Sequence, residues 1–85
     1  MASYRIEVKR SAAKEIADLP KADCQRVVAR LKALGDEPRS PGCEKLTGDD
    51  KYRCRQGNCR ILYQIDDESR IVTIVKVGNR KEVYR

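Results

Sequence analysis

The residues of this chain that could do chemistry are cationic. Arg53, Arg55 and Arg60 lie close together between Tyr52 and Tyr63, and Arg80 lies further on. Guanidinium groups bind phosphate oxygens bidentately and keep their charge when partly desolvated. They can hold an RNA backbone, or stabilise negative charge that develops on a phosphate in a transition state. Lys45, Lys51, Lys76, Lys81 and Arg85 offer further cations to a polyanion. Tyr84 adds an aromatic ring that can stack on a base; its phenol, set among cations, could also be lowered enough to move a proton. Other chemistries are poorly served. With no histidine in the chain, the usual proton shuttle near neutral pH is missing. No phosphate-binding glycine loop, dinucleotide fingerprint or metal-ligand cluster occurs, so neither a metal nor a cofactor is expected. The acid pairs Asp49/Asp50 and Asp66/Asp67 read as turn residues, where aspartate serves local hydrogen bonding.

Positioning the arginines falls to a β-hairpin. Two alternating runs flank Gly57-Asn58, and glycine first in a two-residue loop signals a type II′ turn. That loop sets Gln56 opposite Cys59, Arg55 opposite Arg60, Cys54 opposite Ile61 and Arg53 opposite Leu62. Tyr52, Cys54, Ile61 and Tyr63 then share one face, and Arg53, Arg55 and Arg60 share the other. A lone surface arginine needs no partner. Like charges opposed about 5 Å apart at Cβ destabilise a sheet, so Arg55 across from Arg60 points to a polyanion between them.

Around the hairpin, Tyr4, Ile6 and Val8 alternate as a first strand. Ser11 is a candidate N-cap for a short helix from Ala12 to about Leu19. A second helix from about Lys21 to Leu34 carries Cys24, Val27, Val28, Leu31 and Leu34 as an apolar stripe, with Gly35 as its C′ residue. The short connection between them predicts an antiparallel helical pair. Residues 36–50 read as loop, with Leu46 as a possible core anchor. Ile71–Val77 is apolar on both faces and belongs inside the sheet. The expected architecture is α+β in the order β-α-α-β-β-β: one antiparallel sheet, covered on one face by an α-helical hairpin and open on the arginine face.

A chain of 85 residues allows one small domain, residues 1–85, with a thin core. Net charge is +6, from 19 basic and 13 acidic residues, and the pI near 9.4 fits an anionic partner, nucleic acid or acidic protein. The excess is spread along the chain, so folding must assemble any patch. Cys24, Cys43, Cys54 and Cys59 match no zinc spacing. Cys54 and Cys59 would be diagonal neighbours on one hairpin face, a poor geometry for a bridge, and all four are expected as reduced thiols. Nothing reads as a signal peptide, and no apolar run approaches the roughly 20 residues of a membrane span. A soluble, cytoplasmic protein without membrane association is expected.

With these elements the chain resembles the RelE side of the RelE/ParE toxin superfamily over essentially its whole length. The resemblance rests on Lys45-Leu46-x-Gly48, Tyr52-Arg53-x-Arg55, Cys59–Tyr63 and Val77–Tyr84. It implies a RelE-like microbial ribonuclease-type fold and the toxin of a type II toxin–antitoxin module. Such toxins act as ribosome-dependent endoribonucleases, cutting translated mRNA in the A site by 2′-hydroxyl attack on the adjacent phosphate. By position, Arg53 and Arg55 match basic residues of the first hairpin strand, and Arg60 an arginine that steadies the scissile phosphate. Arg80 matches the arginine after the last strand, and Tyr84 a C-terminal tyrosine that stacks on or orients the nucleotide. Two departures matter. Arg55 stands where the family often has a lysine proposed as base, and arginine does not deprotonate in proteins; Asn79 stands where a histidine is common. The resemblance also implies an antitoxin partner, expected to be acidic and partly disordered, and no direct operator DNA binding without it. Two alternatives stay open: a ParE-like DNA gyrase poison without nuclease activity, and a catalytically inactive member that binds RNA or antitoxin. On the nuclease reading, Arg60→Ala is expected to abolish activity while leaving folding nearly intact.

Overall fold

In the computed structural model, which describes residues 3–46 and 50–79, the chain runs β1 (Arg5–Val8), α1 (Arg10–Ala17), α2 (Lys21–Asp36), β2 (Cys43–Lys45), β3 (Lys51–Gln56), β4 (Cys59–Asp66) and β5 (Ile71–Asn79). The strands form one sheet in the order β1-β5-β4-β3-β2. The β3–β4 register opposes Gln56 to Cys59, Arg55 to Arg60, Cys54 to Ile61 and Arg53 to Leu62, as alternation about the two-residue loop requires. Gly57 takes φ +60°, while Asn58 does not enter positive φ; one positive φ at the first loop position is the II′ arrangement.

The α+β class and the order of helices and hairpin follow the sequence reading, with two corrections to the sheet. Residues 43–45, read as loop, form the edge strand β2, antiparallel to β3. Moreover, β1 pairs with β5 in parallel, so the sheet is mixed rather than wholly antiparallel. The two facts are linked. Each hairpin reverses the chain, so β2 adds a reversal that a four-strand count lacks, and β5 arrives running with β1.

The core is built by the inner face of β3–β5 against the helices. Val27, Leu34, Cys54, Ile61, Tyr63, Val72, Ile74 and Val77 are shut off from solvent, with Ala12 and Leu31 beside them. Each large apolar side chain removed from water in this way contributes about 1.5–3 kcal/mol. Val72, Ile74 and Val77 cannot all face inward on a regular strand, because residue 77 has the opposite parity. A bulge resolves this: Leu62 pairs with Lys76 but Tyr63 pairs with Ile74, leaving Val75 as the extra residue.

Helix boundaries shift for identifiable reasons. α1 begins at Arg10, with Lys9 at the N-cap and no side-chain cap, and Ser11 lies inside the first turn. Lys9 N–H still donates to Ile74 O at 3.0 Å, so strand pairing holds the chain until the helix starts. α2 continues to Asp36, and Gly35 is a helical residue rather than C′. Its role is close approach: Tyr4 N–H donates to Gly35 O at 2.7 Å, and a Cβ there would sit 3.2 Å from Tyr4 O. Val28, placed in the apolar stripe, is exposed. Among the described residues, no helix is long and apolar enough to cross a membrane.

Candidate phosphate-binding site

β2, β3 and β4 carry the site on the sheet face away from Tyr52 and Tyr63. Gly42, Glu44, Arg53, Arg55 and Arg60 line a depression of about 250 Å³. Arg55 lies directly opposite Arg60. On the other side, Arg60 faces Gly78, a residue with no side chain to compete for space. Arg60 is only 3% exposed and is the one buried charged residue among those described. Arg55 stands exposed, and Arg53 lies between the two extremes. The face is therefore graded from an exposed cation to a buried one, rather than uniformly open as the sequence reading had it. No buried side-chain nitrogen or oxygen among the described residues lacks a partner, so the Arg60 guanidinium is held in place.

Glu44 sets the orientation of Arg53. The two are opposed in register, and Arg53 Nη2 lies 3.1 Å from Glu44 Oε1. Alternation puts Lys51 on this same face, opposite Gln64. Lys76 follows Arg53 and Leu62 in the next row, but its Nζ lies 3.1 Å from Glu15 Oε2 of α1. The other oxygen of Glu15 accepts from Val77 N–H at 3.0 Å, so this carboxylate pins α1 to β5 and draws off the charge of Lys76. Lys45 is opposed to Tyr52 and so falls on the other face, away from the arginines. Arg80, Lys81, Tyr84 and Arg85 lie outside the described residues.

A second network fixes the loop that leads into β2. Tyr52 and Tyr63 stack with centroids 5.7 Å apart, and the Arg39 guanidinium lies 5.5 Å above the Tyr52 ring. Arg39 also donates to Tyr52 Oη at 3.2 Å and to both oxygens of Asp67 at 3.1 and 2.9 Å. Tyr4 Oη donates to Asp67 Oδ1 at 2.6 Å, and Tyr63 Oη donates to Pro38 O at 2.6 Å. The hydrogen bonds from Arg39, then from Tyr4, hold the Asp67 carboxyl below its ordinary range. Sequence reasoning missed Glu44, Gly42 and Arg39 alike. Each lies in or beside the stretch read as loop, where no periodicity announces a role.

The arrangement can accept a phosphate: an exposed arginine at the rim, an oriented one beside it and a desolvated one at the floor. Comparisons with known proteins bear on the family. The profile of the family described as the ParE toxin of type II toxin–antitoxin systems, parDE, matches residues 6–84. A RelE-like toxin protein of Escherichia coli is 35% identical over 95% of this chain and 90% of its own length. Toxin RelG of Mycobacterium tuberculosis is 32% identical over 96% of this chain and 97% of its own length. Among solved structures, the archaeal RelE–RelB complex from Pyrococcus horikoshii OT3 is similar at TM-score 0.82 and 31% identity, covering 92% of this chain and 96% of that one. The toxin–antitoxin complex RelBE2 from Mycobacterium tuberculosis is similar at TM-score 0.83 and 28% identity, covering 92% and 99%.

Proposed function

The chain belongs to the RelE/ParE superfamily of toxins from type II toxin–antitoxin systems, and from that premise we propose that it is a ribosome-dependent mRNA endoribonuclease. The observation that carries this reading is the opposition of exposed Arg55 to buried Arg60 across one depression. Opposed like charges favour an anion on their face of a sheet, and a phosphate bound there meets both cations.

On this reading the ribose 2′-hydroxyl attacks the adjacent phosphorus, the new O–P bond forms, and the bond to the departing 5′-oxygen breaks. Negative charge builds on the non-bridging oxygens as this happens. Arg60 meets those oxygens at the floor and Arg55 at the rim, in a setting where a partly desolvated cation acts more strongly than in water. Arg53, held by Glu44, steadies the neighbouring backbone. None of the three can take the 2′ proton. Arg80 and Tyr84 complete the proposed catalytic set, with Tyr84 as stack and candidate proton carrier. Lys51 extends the RNA track. Lys45, Lys76, Lys81 and Arg85 remain part of the proposed ribosome-contacting set; Lys76 would have to leave Glu15 to serve. RelE–RelB complexes among the structural relatives support a cognate antitoxin as partner, proposed here to be acidic and to fold on contact.

The test is primer extension on a translated reporter mRNA in a reconstituted system. Cuts inside codons that require translating ribosomes are expected; their absence would remove the nuclease reading. The matching family profile is the ParE one, and that favours one second reading, inhibition of DNA gyrase by binding. A supercoiling assay run in parallel would then show inhibition where the primer extension shows no cuts.

A further inference from the structure

Behind the arginine depression, on the other face of the same strands, lies a cluster the proposed chemistry does not use. Cys43 of β2 and Cys54 of β3 are directly opposed. Leu46 N–H donates to Lys51 O across this strand pair at 2.9 Å. Bonded and non-bonded rungs alternate from there, so Cys43–Cys54 falls on a non-hydrogen-bonded rung. The Cys43 N–H agrees, since it turns away from β3 to donate to Ser40 O at 3.1 Å. On such rungs Cα atoms approach to about 4.5 Å, within the roughly 4.4–6.8 Å that a disulfide spans.

The two sulfurs share a cation. Arg30 of α2 donates from Nε to Cys54 Sγ at 2.9 Å and from Nη2 to Cys43 Sγ at 3.5 Å. Ser40 Oγ lies 3.6 Å from Cys43 Sγ. Cys54 is shut off from solvent, whereas Cys43 is only partly covered. Burial opposes ionisation of Cys43, but hydrogen bonding with Tyr63, Cys54, Ser40 and Arg30 outweighs it and holds the thiol below its ordinary range. Burial, against the pull of Arg30, pushes Cys54 up to about 11. Cys43 is thus the less covered and the more acidic of the two, and the thiolate is the form that reacts; Cys54 is shielded and harder to ionise.

The geometry points to a peroxide-responsive thiol pair, in which Cys43 is oxidised by a hydroperoxide and Cys54 resolves it into a cross-strand disulfide. In the first step the Cys43 thiolate attacks a peroxide oxygen. An S–O bond forms, the O–O bond breaks, and the alkoxide or hydroxide leaves to take a proton from solvent. Sulfur gives up two electrons and the peroxide accepts them, leaving a sulfenic acid. With Cys43 neutral, the charge that helped keep Cys54 protonated is gone and Arg30 faces Cys54 alone. The Cys54 sulfur then attacks the Cys43 sulfur: the S–S bond forms, the S–O bond breaks, and hydroxide departs with the Cys54 proton as water.

The test is peptide mapping by mass spectrometry of the purified protein after exposure to hydrogen peroxide. The expected product is an intramolecular Cys43–Cys54 bridge, lost on treatment with dithiothreitol, with buried Cys59 and helical Cys24 unmodified. Cys54→Ser should strand the reaction at sulfenic acid, read as a dimedone adduct on Cys43. Arg30→Met should slow alkylation of Cys43 by iodoacetamide at neutral pH, because one of the hydrogen bonds that favour its thiolate is lost. Oxidation reaching Cys24 before Cys43, or bridges formed only between chains, would overturn the proposal. The wild-type map decides this even if a variant folds poorly, and it is independent of whether the protein cuts RNA.

Discussion

Arg55 and Arg60 carry the same charge on facing positions, yet their environments give them different tasks. Arg55 is exposed, so removing its side chain beyond Cβ leaves no cavity and takes away one of two like charges on opposed positions. Arg55→Ala is expected to leave the thermal midpoint unchanged or slightly raised, while on the proposed nuclease reading cleavage falls about 10²-fold, the scale seen when one transition-state donor is lost. Thermal unfolding and primer extension on the same preparation check both halves. Arg60 is different, because its 3% exposure makes it a packing residue as well as a cation. On the nuclease reading, Arg60→Ala is expected to cost activity and, because Arg60 is buried, about 1–3 kcal/mol in stability as well. Arg60→Lys, which keeps charge and most of the volume but loses the planar fork, should retain the fold and still lose cleavage. Asp67 offers a test at the same scale. Hydrogen bonds from Arg39 and Tyr4 depress its carboxyl, so the stabilisation it lends is present above the ordinary carboxylate pKa and fades as pH falls through the lowered one. Carboxyl carbon resonances should show Asp67 titrating below the ordinary carboxylate range in the wild type, and moving up towards it in Arg39→Met, where the Tyr4 hydrogen bond remains.

Among the elements, the β3–β4 hairpin bears most directly on the site, because its register alone decides whether three arginines share a face. That register depends on Gly57, whose φ of +60° is unfavourable for any residue with a Cβ. Space is not the obstacle, since nothing lies within 4 Å of a Cβ built there. Gly57→Ala is therefore expected to destabilise by about 1–2 kcal/mol through backbone strain alone, with Asn58→Ala nearly neutral; urea unfolding of the two variants separates them. The hairpin was legible in the sequence because its alternation runs through twelve positions and its turn chemistry is specific. β2 was not, since three residues in a stretch rich in proline and glycine give no period to read. The bulge at Val75 was hidden for the opposite reason: Ile71–Val77 is so uniformly apolar that a change of parity leaves no trace. Burial of Arg60 escaped as well, because a strand pattern reports which face a residue takes and not what comes to cover it. Arg39, Glu44 and Glu15 are set by contacts between distant elements, which local pattern cannot carry.

Over the whole molecule, the even spread of charge along the chain becomes polarised by folding. Arg53, Arg55 and Arg60 gather in one depression. Glu15, Asp18 and Asp23 gather in a second, between the helices and the β3–β4 turn, and Asp50, Asp66, Asp67 and Glu68 in a third. A net charge of +6 thus understates the field on the arginine face and gives an incoming polyanion one preferred side of approach. Counterion release makes this measurable. Each phosphate neutralised on a single strand contributes about −0.7 to the slope of log binding constant against log salt. Three arginines engaged together imply a slope near −2 for a short single-stranded RNA, read by fluorescence anisotropy across a salt series. Arg55→Ala should make that slope shallower by about 0.7. Asp67→Asn raises the net charge by the same amount that Arg55→Ala lowers it, but lies in the third depression, and should leave the slope where it was. If both variants shifted the slope in proportion to net charge, the RNA would be responding to the overall charge of the protein; a shift confined to Arg55→Ala locates the contact on the β3–β4 face.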